Sequence, residues 1–125
     1  MTTEEVKKLT DDELRIRVAE LRGYKRASML QPGTGLPLWE HPTEMVHATD
    51  GTPLFPHRVI ASNLPNYPQD LNAMHEVEDA LTEEQYNRFC DILWNMCGGA
   101  SGKFGAIHST ARQRAEAFVL TMEKI

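Results

Sequence analysis

The sequence predicts an α+β domain: a small antiparallel sheet with about four helices packed on it. Three observations point there. Capping boxes open helical patterns at Thr10–Glu13, Thr82–Gln85 and Thr110–Gln113. Between the first two lies a proline-rich centre, in which no long helix can form. That centre carries short apolar runs and an Asp50-Gly51 turn, the grammar of hairpins. At 125 residues the chain fits one domain spanning 1–125, with residues 1–9 expected to fray.

The elements follow in order. Thr10 caps the first helix, Leu14, Val18 and Leu21 form its apolar stripe, and Gly23 stops it. Tyr24 to Leu30 reads as a strand, and Gln31-Pro32-Gly33-Thr34-Gly35 as a turn. Further short strands are expected around Leu38 to Glu40, Met45 to His47 and Arg58 to Ser62. A second helix starts near Gln69 and runs through Leu71, Met74 and Val77 or Glu78 to Leu81. The third carries Tyr86, Phe89, Cys90, Leu93 and Cys97 on its apolar side. Gly98 to Gly102 breaks it, and Lys103 to His108 can form a strand. Ala111, Ala115, Phe118, Val119 and Met122 line the buried face of the last helix.

Composition narrows the function. The hydrophobic fraction of 41% and charged fraction of 25% are ordinary for a globular chain. A formal charge of −5 and no basic stripe argue against general nucleic-acid binding. No run is long enough for a membrane span, and Met1 to Lys8 lacks the apolar core of a signal peptide. A cytoplasmic location is expected. Cys90 and Cys97 lie seven apart on one helix, roughly 10 Å along its axis, too far to pair. They read as buried thiols.

The start of the last helix is the best local site. Free N–H groups and the helix dipole favour an anion there. Ser109, Thr110, Arg112 and Arg114 add donors, and His108 precedes them. Arg112 and Arg114 point about 200° apart, so one ligand meets both only over the helix end or with another subunit's help. The opposing reading leaves both arginines solvated or pairs them with Glu116 and neighbouring acids. Tyr24, Arg26, Trp39 and Tyr67 lie near turns and could stack on a base or plug a small core. Gly102-Lys103 lacks the glycine spacing of a phosphate loop. No zinc spacing, metalloprotease helix or nucleophile elbow occurs, so no catalytic residue, metal or cofactor is assigned. His41, His47 and His57 could still converge. Glu76, Glu78, Asp79, Glu83 and Glu84 form an acidic helical surface.

Four stretches taken together resemble the phage α/β/α-sandwich domain family of small phage and prophage proteins. They are Leu14–Glu20 with Gly23-Tyr24; Trp39-Glu40-His41-Pro42; Leu64–Tyr67 with Asp70–Glu76; and Thr110–Phe118. Their order matches the family over most of the chain, whereas Glu44 to Ser62 is longer than the pattern. The resemblance implies a phage-encoded accessory role. A relationship to the Thoeris anti-defence nucleotide sponges would imply more: sequestration of a cyclic ADP-ribose isomer or cyclic oligonucleotide, without cleavage, in a homo-oligomer. Arg112, Arg114 and Thr110 would then hold phosphates, and Tyr24, Trp39 or Tyr67 would stack on a base. The second expectation is an accessory or inhibitor protein that meets a host protein through its acidic helical surface. The third is a small hydrolase.

Overall fold

The fold is known from a computed structural model, which describes residues 1–97 and 109–123. It is α+β, with an antiparallel sheet and several short helices. Among the described residues there are five α-helices: α1 (Thr3–Lys7), α2 (Asp11–Leu21), α3 (Leu71–Asp79), α4 (Glu83–Met96) and α5 (Ala111–Glu123). The three strands are β1 (Lys25–Leu30), β2 (Pro37–His47) and β3 (Pro53–Ile60). Two compact units emerge: Met1–Val18 with Pro65–Ile125, and Ala19–Leu64. The division falls inside α2.

The first unit is helical, and α5 is its centre. α5 packs against α1, α3 and α4. The sequence predicts one buried face on α5, but Ala115 through Thr121 are all buried, and Met122 is only half-buried. Three alanines make this possible, because small side chains let neighbouring helices approach α5 from several sides. Thr121 meets its own polar requirement by donating to the Ala117 carbonyl at 2.7 Å. Phe89 and Leu93 of α4, Met74 and Val77 of α3 and Leu14 and Val18 of α2 are buried in the same unit.

Residues 1–9, expected to fray, contain the short helix α1. Thr2 and Glu5 form a capping box that opens α1, and Val6 is completely buried. That anchor is a single side chain, which periodicity over so short a segment does not reveal. The boxes at Thr10, Thr82 and Thr110 all form as predicted. α3 is capped by Asp70, whose carboxylate accepts from the Asn72 and Ala73 amides.

The second unit is the sheet, in the order β1-β2-β3. α2 ends in a Schellman arrangement: the Tyr24 N–H donates to the Ala19 carbonyl and Gly23 N–H to that of Glu20. Gly23 takes φ +106°, which a side chain would resist. β1 pairs with β2 through Arg26↔Trp39, and β2 with β3 through Trp39↔Val59. Arg26, Trp39 and Val59 therefore share a face. The predicted pieces at Leu38–Glu40 and Met45–His47 form one strand, with an irregular register between Glu40 and Met45. Pro42 falls in that irregularity, where its missing N–H costs no regular ladder bond. β3 begins earlier than predicted, at Pro53, directly after the Asp50-Gly51 tip. That tip is closed by Ala48 N–H to the Thr52 carbonyl at 2.9 Å, with Gly51 at φ +88°. The predicted Gly98–Gly102 loop and Lys103–His108 strand lie outside the described residues.

Candidate functional site

Arg112 sits in the second position of α5 and reaches back toward the chain's beginning. Its Nη1 donates to Asp11 at 2.6 Å, and its Nε to Glu116 at 3.1 Å. Its Nη2 donates to the carbonyls of Leu9 at 2.6 Å and Lys7 at 3.3 Å. Asp11 also accepts from Gln69 at 3.0 Å. The guanidinium fork is thus spent on tying α1 and its following turn to α5. Hydrogen bonds from Gln69 and then Arg112 hold the Asp11 carboxyl below its ordinary value.

Arg114 donates to Glu78 of α3 at 2.5 Å. Both side chains are largely buried, and the second carboxylate oxygen of Glu78 has no hydrogen-bond partner among the described residues. Burial pushes the Glu78 carboxyl up, against the opposing pull of Arg114. The two arginines expected to hold phosphate are joined to acids, one of the two forms the opposing reading allowed. Thr110 and Gln113 exchange hydrogen bonds at the helix start, and Ser109 is buried. His108 lies outside the described residues.

The aromatic candidates divide between the units. Tyr67 belongs to the helical unit and Trp39 to the sheet unit, and both are buried. Tyr24 meets His41 edge-on with ring centroids 4.9 Å apart. Burial, then Glu44, raises the Tyr24 phenol. Arg26 is exposed on β1. His41 is further held by Thr43, whose hydroxyl lies 2.8 Å from its Nδ1. Among the described residues no group of three His, Cys, Asp or Glu side chains gathers as a metal site, so His41, His47 and His57 do not form one. No described helix is long and apolar enough to cross a membrane.

The outward face of α4 departs most from the sequence reading. Tyr86 and Cys90, expected on the apolar side, are exposed, and Cys97 is half-buried. The buried stripe is centred on Phe89 and Leu93; at about 100° per residue Cys90 turns off that stripe, whereas Tyr86 stays in line with it and is exposed in the first turn of α4. Trp94 is exposed as well, so Tyr86, Cys90 and Trp94 form one row at i, i+4 and i+8. Glu83, Asn87, Asp91 and Asn95 form the next row, also exposed, with Glu84 beyond. Repulsion from the Cys90 sulfur, and the hydrogen bond between them, raise the Tyr86 phenol.

A cleft of about 230 Å³ opens beside this face, lined by Thr3 and Lys7 of α1, Ile92, Asn95 and Met96 of α4, and Leu120 of α5. It is smaller than the roughly 300–1,000 Å³ of typical ligand pockets. Comparison with protein-family models, curated proteins and solved structures finds no match for the chain.

Proposed function

We propose that this chain is a non-catalytic binding protein that docks a basic protein surface on the exposed face of α4. The observation carrying this reading is the row of Tyr86, Cys90 and Trp94 flanked by Glu83, Glu84 and Asp91. Exposed Tyr and Trp on one helix face supply large contact area with little rotamer entropy to lose. The acidic flank and the formal charge of −5 favour a cationic partner over an acidic one. If the chain is phage-encoded, as its sequence resemblance implies, the partner is a host protein.

Sequestration of a cyclic nucleotide is the weaker reading. Its phosphates would have to displace Asp11, Glu116 and Glu78 from Arg112 and Arg114.

Site-specific photo-crosslinking in host cells tests the proposal. A crosslinker at Trp94 is expected to trap one discrete protein, and Asp91→Lys should abolish the adduct. A crosslinker at Thr52 on the β2–β3 tip should trap none. Equal labelling from both positions, or labelling indifferent to Asp91→Lys, would sink the reading.

A further inference from the structure

We infer that the cleft between α1, α4 and α5 binds a small carboxylic acid with an apolar body. This inference does not depend on the docking face. Its floor is apolar: Leu120 is buried, and Ile92 and Met96 are half-buried. Its rim is polar and holds a cation: Thr3, Lys7 and Asn95 are exposed. A hydroxyl, an ammonium and an amide around an apolar floor match one carboxylate on a hydrocarbon chain. Lys7 supplies the charge, and Thr3 and Asn95 can donate hydrogen bonds.

Size sets the upper limit. A volume of about 230 Å³, below the range of typical ligand pockets, suits a short-chain acid.

The wall that carries Lys7 is also pre-positioned. Arg112 donates to the carbonyls of Lys7 and Leu9, and Val6 is completely buried one residue before Lys7. The backbone at Lys7 is therefore fixed before any ligand arrives, which lowers the ordering cost of binding. Arg112 thus serves the cleft as a positioning residue and touches no ligand.

Hexanoate is a suitable probe, with hexanol as its neutral counterpart. In methyl-labelled protein, hexanoate is expected to shift the Ile92 and Met96 methyl resonances saturably, with a dissociation constant near 1 mM. Hexanol should bind about tenfold more weakly. Lys7→Met should weaken hexanoate about tenfold and leave hexanol unchanged, as loss of one charge-assisted contact requires. Lys7 is exposed, so this variant folds as the parent does. Absence of saturable shifts at about 10 mM, equal affinity for acid and alcohol, or indifference to Lys7→Met would overturn the assignment.

Discussion

Glu78 shows how one buried carboxylate can bias stability. Only 8% of the residue is exposed, and one of its oxygens accepts from Arg114. Desolvation outweighs the attraction of the guanidinium, so its carboxyl titrates above the ordinary value of 4.5. The folded chain then holds that proton more tightly than the unfolded chain does. Its contribution to stability is complete below the ordinary value and is lost as pH rises through the folded one. Glu78→Gln keeps the shape and removes the titration. In urea unfolding, the stability of the parent relative to this variant is expected to fall as pH rises above the ordinary carboxyl value. A pH-independent difference would contradict the assignment. Asp11 and Glu123 act in the opposite sense. Both titrate below their ordinary values, so their contributions are present above those values and are lost on acidification. For Glu123, burial opposes this direction and is outweighed by Arg17 and the N-terminal amine.

At the scale of elements, helix beginnings were legible and helix faces less so. Capping boxes are local, because a threonine and a residue three places on satisfy each other's amides whatever the rest of the chain does. All three predicted from sequence form. Thr110→Ala should therefore cost about 1 kcal/mol, read as a lowered urea midpoint with unchanged slope. The faces depend on neighbours. Leu14 and Val18 are buried as their spacing predicts, but Leu21 is only half-buried. On α4 the apolar character of Tyr86 and Cys90 suggested burial, but Cys90 turns away from the face of Phe89 and Leu93, and Tyr86 lies in the helix's exposed first turn. On α5 the reverse holds: Ala117 and Glu116 are buried although they fall off the predicted stripe. Glu116 is accommodated because it pairs with Arg112.

Over the whole molecule, stability of the helical unit rests on the side chains between α4 and α5. Phe89 is 1% exposed, and the two helices pack together. Phe89→Ala should cost about 3–4 kcal/mol, measured by urea unfolding followed by far-ultraviolet circular dichroism. A loss under 1 kcal/mol would show that Phe89 is not part of this core. The sheet unit rests on other rules. Its turns are written in the sequence, since Gly23 and Gly51 occupy backbone angles that disfavour side chains. Its strand lengths were not, because prolines at 37, 42, 53 and 56 divide the apolar pattern while the chain stays extended through them.

The candidate site divides the same way. From sequence alone came the α+β class, the helix starts, the hairpin tip and the inventory of charges, all set by interactions among residues a few positions apart. The partners of those charges were decided in three dimensions. Arg112 meets Asp11 and the Leu9 carbonyl about a hundred positions away, and Arg114 meets Glu78 across 36. Local patterns determine where a helix begins and which residue types it carries. Only packing determines which acid each arginine meets and which side of α4 is left to solvent, because both depend on residues brought together from distant parts of the chain.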